Sequence, residues 1–295
     1  MTKSELHTPV MCREAINYLN LEQGATVLDC TVGLGGHTAA LLRQIGPEGR
    51  LIGLDQDQQS LELVKNKLNK FANCSLIQAN FRKLDQILID LGMPKVDGII
   101  FDLGLSSLQL ETKIRGFSFR LEAPLDMRMD QQLRVSAFDL VNFLPQEGLS
   151  SILRRYGQER WHNRIARGIV RERKKAMIAT TRQLADLIQR AVPRKYSAIH
   201  PATRTFQALR IAVNDELEAL AEGLTKAIDF VKAGGRICVI SFHSLEDRIV
   251  KHQFRDFAKQ GRLKILTKKP IRPEPEELAA NPRARSAKLR AAEKI

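Results

Sequence analysis

Two short apolar runs, each closing on an aspartate and joined through a glycine turn and a helical segment, constrain this chain more than anything else in it. The first run is Val27-Leu28-Asp29, which passes through Cys30-Thr31-Val32-Gly33-Leu34-Gly35-Gly36 into a helical pattern from His37 to Ile45. The second is Leu51-Ile52-Gly53-Leu54-Asp55. Short continuous apolar runs suit strands covered on both faces, which is the setting of a parallel sheet with helices on either side. Glycines at a strand-to-helix turn let a ligand approach the backbone, and an acid at the end of the next strand can take both hydroxyls of a ribose. The layout predicts a nucleotide-type pocket at the carboxyl edge of the sheet.

The same alternation continues along the chain. Strands are expected at 25–31, 51–55, 75–79 and 96–102, with helical patterns at 59–71 and 81–91 between them. After residue 105 the alternation stops. Residues 106–128 read as loop, and helices are expected at 137–143, 148–155, 160–175 and 181–191. A long helix at 205–231 and a strand at 235–242 resume the βα pattern. Two tail strands, 263–267 and 286–292, flank a Pro/Glu-rich loop at 270–282. The expected fold is α/β, a mostly parallel Rossmann-like sheet with helices on both faces and an inserted all-helical domain. The expected domains are 1–108 and 201–295 for the sheet and 109–200 for the insertion.

Charge narrows the partner class. The chain has 295 residues and a formal net charge of +14, from 47 Lys and Arg against 33 Asp and Glu. Between 151 and 200, thirteen Lys and Arg stand against three acids. Localised excess of this kind points to a polyanion. Arg160, Arg164, Arg167 and Arg171 recur at helical spacing and would share one face, with Trp161, Ile165 and Ile169 on the neighbouring one. An isolated stripe would read as a solvated face. Here Arg154, Arg155, Arg173, Lys174 and Lys175 enlarge it, which favours contact with the phosphates of RNA or DNA. No apolar run approaches the roughly 20 residues that span a bilayer, and residues 1–12 lack the layout of a signal peptide. Cys12, Cys30, Cys74 and Cys238 lie far apart without CxxC spacing, so free thiols and a cytoplasmic location are expected.

Asp102, followed by Leu103-Gly104-Leu105-Ser106-Ser107, ends the fourth strand where an open sheet faces its ligand crevice. An acid and two hydroxyls there can hold a nucleophile, although a turn or cap role would use the same residue types. His200 and His243 have no metal-ligand spacing, so no metal is expected. Neither a Gly-x-Ser-x-Gly elbow nor a P-loop is present, which argues against hydrolase and NTPase chemistry. In the glycine turn, Thr38 stands where a dinucleotide fingerprint wants its third glycine, and a pyrophosphate needs a clear helix N-terminus. The spacing leans toward S-adenosylmethionine, with NAD as the rival on this loop alone. The run Asp29-x-Thr31-x-Gly33-x-Gly35 resembles the first motif of class I methyltransferases.

Longer motifs carry a more specific resemblance. In order they are His7-Thr8-Pro9-Val10, Asp29-Cys30-Thr31, Gly35-Gly36-His37, Asp102-Leu103-Gly104-x-Ser106-Ser107-x-Gln109 and Arg115-Gly116-Phe117-Ser118. Then follow Pro124-Leu125-Asp126-Met127-Arg128-Met129, Phe206-Gln207-Ala208-Leu209-Arg210-Ile211, Ser241-Phe242-His243-Ser244-Leu245-Glu246-Asp247-Arg248 and Asn281-Pro282-Arg283-Ala284-Arg285-Ser286-Ala287-Lys288-Leu289-Arg290. Over essentially its whole length the chain resembles the MraW family, the ribosomal RNA small subunit methyltransferases H of bacteria.

The resemblance implies methylation of the exocyclic N4 of a cytidine in the decoding region of 16S rRNA, with S-adenosylmethionine as donor. It implies cofactor contacts at Gly35, Gly36, His37, Asp55, Phe81, Asp102 and Gln109. It implies 16S rRNA or the small ribosomal subunit as partner, with no membrane; monomer and homodimer both stay open. Leu34 replaces a glycine usual in the family and Thr38 a frequent serine, so the Leu34 side chain is expected to face away from the cofactor. Cytosine N4 is a weak nucleophile because its lone pair is conjugated into the ring. Asp102 is the expected acceptor near N4, helped by Ser106 or Ser107. The base must leave its stack, and Phe117, Phe119 and Trp161 are candidates to stack on it. The rivals are an NAD-dependent oxidoreductase, a non-catalytic RNA-binding assembly factor on the same fold, and DNA cytosine-N4 methylation.

Overall fold

The structure, a computed structural model, describes residues 9–193 and 200–295. The His7-Thr8 half of the opening motif lies outside them. By contacts the chain divides into two compact units, one built from the described residues up to Leu105 together with Leu217–Ile295, the other Ser106–Glu216.

The first unit opens with α1 (Cys12–Leu19), β1 (Thr26–Asp29), α2 (Gly36–Ile45), β2 (Arg50–Asp55), α3 (Gln58–Leu68), β3 (Cys74–Gln78), α4 (Leu84–Asp90) and β4 (Val96–Asp102). The second unit holds α5 (Ser107–Glu111), α6 (Ala137–Phe143), α7 (Gln146–Gly157), α8 (His162–Arg173), α9 (Thr181–Ala191) and α10 (Ala202–Asn214). The chain returns to the first unit with α11 (Glu216–Phe230), β5 (Val231–Ser241), α12 (Ser244–Lys259), β6 (Leu263–Ile265), α13 (Pro275–Ala280) and β7 (Lys288–Lys294).

The sheet has seven strands in the order β3-β2-β1-β4-β5-β7-β6. The first five are parallel, and β7 pairs antiparallel with both β5 and β6. Strand side chains alternate between two cores, as the two-residue period requires. Val27, Leu51, Ile100, Cys238 and Ile240 pack with Ala15 and Leu19 of α1, Leu41 and Leu42 of α2 and Val64 of α3. Leu28, Ile52, Ile99, Phe101 and Val239 face the opposite way, onto Leu84 of α4, Leu220 and Leu224 of α11 and Val250 of α12. Burial of each such Leu, Ile or Val contributes about 1.5–3 kcal/mol. Helices on both faces are thus a direct consequence of strands apolar on both sides.

Four expectations change, the first being that the stretch read as loop at 106–128 opens with α5 (Ser107–Glu111), started by the Ser106 cap. The helix expected at 205–231 is two helices, α10 and α11, because Asp215 takes the left-handed conformation at φ 51° and caps α10. The insertion ends at Glu216 and not at 200, since α10 belongs with the helical unit; Gly157 of α7 lies so close to α10 that a Cβ would meet the Arg204 carbonyl at 2.6 Å. The tail loop contains α13, which begins on Pro275, a residue suited to the first turn of a helix. All four cysteines are free thiols; Cys30 and Cys238 are buried, and Cys12 and Cys74 half-buried. Among the described residues no helix is long and apolar enough to cross a membrane.

Candidate active site

The strand order reverses between β1 and β4, because the chain builds outward through β2 and β3 and then returns to the other side of β1. Ligands of open parallel sheets bind at the carboxyl ends of strands flanking such a switch. Asp29 and Asp102 end those two strands.

The turn after β1 is tied by side chains. The buried Asp29 carboxylate accepts the Thr31 amide at 3.0 Å and the Thr38 hydroxyl at 2.7 Å. Burial raises the pKa of Asp29, and those two bonds hold it back. The Thr31 hydroxyl in turn accepts the Asp102 amide at 2.6 Å, which locks the end of β4 to the β1 turn. Thr38, which stands where a dinucleotide fingerprint wants a glycine, is therefore the donor that satisfies a buried acid. A serine would supply the same hydroxyl.

Asp55, at the end of β2, accepts the amide of Gly33 at 2.7 Å on one oxygen and that of Asp57 at 2.9 Å on the other. Each oxygen keeps a lone pair, so adjacent hydroxyls can still donate to it. Burial pushes its pKa up from 3.8 to about 6, against the pull of those two amides. Gly35 caps α2 at φ 77°, and a Cβ there would meet Val64 at 2.9 Å; a Cβ on Gly36 would meet Pro9 at 2.9 Å. Both glycines are thus demanded by packing in the protein itself. Leu34 beside them is half-buried.

His37, in the first turn of α2, is 5% exposed. Its Nε2 lies 3.0 Å from the Val10 carbonyl and its Nδ1 3.3 Å from Oδ2 of Asp102. Burial lowers the pKa of the ring, but Asp102 and, behind it, Asp29 and the Val10 carbonyl raise it further, and the net shift is upward. A cation in a helix's first turn costs about 0.3–1 kcal/mol, whereas opposite charges about 4 Å apart gain about 4 kcal/mol at an effective dielectric near 20. The carboxylates decide the outcome. The other Asp102 oxygen, Oδ1, is buried with no hydrogen-bond partner among the described residues.

Phe81 contributes its side chain to the core, edge-on to Phe101 at 5.4 Å and against Gly223. Beside it, Asn80 links to Gln56 at 2.9 Å and caps the turn at Phe81–Lys83, a contact that sequence spacing did not single out. Acids dominate this edge: the charge of Asp102 raises the pKa of Asp29, and those of Asp57 and Asp29 raise that of Asp55. A pyrophosphate would meet like charge here; a cationic ligand bearing a ribose fits the donors and acceptors present.

The remaining expected residues lie in the second unit. Ser106 caps α5: its hydroxyl accepts the Gln109 backbone amide at 3.2 Å, and the Gln109 side-chain Oε1 accepts the Ser106 backbone amide at 3.1 Å. That reciprocal cap accounts for both residue types at this spacing. Ser107 is buried in the first turn. Phe117 is also buried, 5.8 Å below the guanidinium of the fully buried Arg115, so it is not free to stack on a base. Phe119 already stacks on His200 at 4.6 Å. On α8, Ile165 and Ile169 are buried while Arg164, Arg167 and Arg171 are exposed, as their spacing requires. Arg160 precedes the helix and lies over the Trp161 ring at 5.4 Å, which corrects its expected place in the stripe. Arg173 donates to the Val141 carbonyl at 2.7 Å and ties α8 to α6. Arg164 and Arg190 also line a cleft with Asp186, Gln189, Val192 and Pro193.

A ribosomal RNA small subunit methyltransferase H from Caldicellulosiruptor bescii is 46% identical, with 98% of this chain and 99% of the relative covered. One from a Cyanothece species is 49% identical over 98% of this chain and 95% of its own length. A solved structure of a methyltransferase from Streptococcus mutans, in complex with SAH, is 13% identical with a TM-score of 0.46 over the full length of both chains. The model of the MraW methylase family matches residues 4–295. The chain, with its Rossmann-like α/β sheet, belongs to the MraW methylase family.

Proposed function

We propose that this chain methylates the exocyclic N4 of a cytidine in 16S rRNA of the small ribosomal subunit, with Asp102 as the group that receives the amine. The observation that carries the reading is the Asp102 carboxylate. It stands at the end of β4, its amide is pinned by Thr31, and its buried Oδ1 has no donor among the described residues. An unpartnered carboxylate oxygen is costly, and an amino group would satisfy it.

The residues fit the donor. Asp55 would take the ribose hydroxyls, the turn at Gly33–Gly36 would lie along it, and the acidic edge suits a cation. S-adenosylmethionine, when bound, supplies an electrophilic methyl on a sulfonium. Asp102 accepts a hydrogen bond from N4–H, which draws the nitrogen lone pair out of conjugation, and then receives the proton that the amine sheds. Holding the amine in line supplies much of the remaining rate, with effective molarities up to roughly 10⁵ M or more. Gly35, Gly36, His37 through its backbone, Phe81 and Gln109 are the other proposed cofactor residues, Ser106 and Ser107 the proposed helpers. Arg160, Arg164, Arg167 and Arg171 are the proposed phosphate contacts, and the cytoplasm is the proposed location.

The test is mass spectrometry of 16S rRNA after incubation with the protein and labelled S-adenosylmethionine. The expected product carries one methyl on cytosine N4. A methyl on any other atom overturns the assignment, and absence of methyl on rRNA and on small-subunit particles alike supports the assembly-factor reading.

A further inference from the structure

With Asp102 ionised, as a group that accepts a proton must be, His37 presents a hydrogen-bonding conflict that only one protonation pattern resolves. Nε2 faces the Val10 carbonyl, which has no proton to give. Nδ1 faces Oδ2 of Asp102, which has none to give when ionised. A neutral imidazole can donate from only one nitrogen, so it would leave a lone pair against one of these two oxygens.

We propose that His37 is a positioning residue: its imidazolium donates from both nitrogens, bridging the Pro9–Met11 segment to Asp102 and turning that carboxylate so that Oδ1 is left for the acceptor amine. This rests on the role of Asp102 proposed above. The His37 ring is thereby assigned to Asp102 and not to direct contact with the donor.

The surroundings are arranged for it. The Val10 carbonyl is fixed because the next amide, Met11, donates to Glu277 at 2.7 Å, and Pro9 fills the space that the missing Cβ of Gly36 leaves. Asp29 on β1 and Asp102 on β4 both favour the charged ring. Further charged groups among the described residues here are Glu14 on α1, Arg43 on α2 and Glu277 on α13, which act together with Asp102 on the Cys12 thiol of α1. Arg43 is the one cation among them.

Two isosteric variants and one spectrum test the bridge. His37→Asn keeps a donor near the place of Nδ1, and His37→Gln keeps one near the place of Nε2. The expected result is that His37→Gln loses kcat by about 100-fold with little change in the KM for S-adenosylmethionine, and that His37→Asn recovers about tenfold of that loss. The kcat–pH profile of the wild type falls on the alkaline side as the ring loses its proton; His37→Asn lacks that limb. Equal losses in the two variants, or an alkaline limb kept in His37→Asn, overturn the proposal. In the wild-type protein, the ¹⁵N spectrum of the ring at about pH 7.5, above the ordinary imidazole value near 6.5, shows both nitrogens protonated; a singly protonated ring overturns it without any variant. Asp102→Asn separates the two readings. If it keeps the wild-type rate, the role of Asp102 falls; if it loses rate and His37→Gln does not, Asp102 stands and the bridge falls.

Discussion

In the turn between β1 and α2, polar side chains are consumed by the protein itself: Asp29 by Thr31 and Thr38, Asp55 by Gly33 and Asp57, His37 by Val10 and Asp102. On α8 the opposite holds. Arg164, Arg167 and Arg171 are exposed and make no ion pair among the described residues, while Ile165 and Ile169 anchor the helix beneath them. A site that holds one small ligand in one pose needs its groups fixed beforehand, since a misplacement near 1 Å can cost about 100-fold in rate. A surface that meets a flexible polyphosphate needs charge on a stable support and gains little from rigid side chains.

Substitutions in the two regions should therefore differ in kind as well as size. The largest effect belongs to Asp102→Ala, expected to lower kcat on the order of 10²–10⁴ while leaving binding to RNA intact in a filter assay. A wild-type rate would remove Asp102 from the chemistry. Next is Gly35→Ala, which must hold φ 77° and press a Cβ toward Val64 at 2.9 Å. It should destabilise by about 2–4 kcal/mol, read as a lower Tm, and an unchanged Tm would show that the turn can relax.

Thr38→Val strands the second oxygen of the buried Asp29 and should cost about 1–3 kcal/mol, whereas Thr38→Ser should melt near the wild type. If both variants melt alike, the hydroxyl has no role in holding the acid.

Asp55 gives a pH signature. Its pKa rises from 3.8 to about 6 on folding, so its contribution to stability is full below about 4 and is lost as pH rises through about 6. Hydroxyl donors prefer the ionised form, so affinity for S-adenosylmethionine should run the other way, weakening by up to about tenfold per pH unit below 6. Calorimetric titration across this range, repeated on Asp55→Asn, should show the dependence and its loss. An identical dependence in the variant would assign it elsewhere.

The smallest effect is expected on α8. Arg167→Gln should leave Tm and kcat unchanged and reduce the salt slope of RNA affinity by about 0.7. A change in kcat at saturating RNA would break the division between the two regions.

Much of this architecture was legible beforehand because it rests on short-range physics. The period of apolar residues predicted β4 to the residue, as it did the helices at 137–143 and 181–191, and the spacing of Arg164, Arg167 and Arg171 predicted their shared exposed face. The break at Asp215 was hidden because α10 and α11 continue one apolar rhythm, and a single left-handed residue leaves little trace in it. Phe117 and Phe119 looked available for stacking because composition does not reveal that Arg115 and His200 already occupy their faces.

The glycine turn shows the same boundary most clearly. Which residue types stand between Asp29 and Thr38, and that they open a pocket at a sheet edge, follows from the order of residues alone, since strand, turn and helix signals are local. That Gly35 and Gly36 answer to Val64 and Pro9, and that His37 joins Val10 to Asp102, are facts about distant segments meeting. Those partners lie up to 65 positions away in the chain, and only the packing of β1 beside β4, with the N-terminal segment against α2, brings their polar atoms within hydrogen-bonding reach.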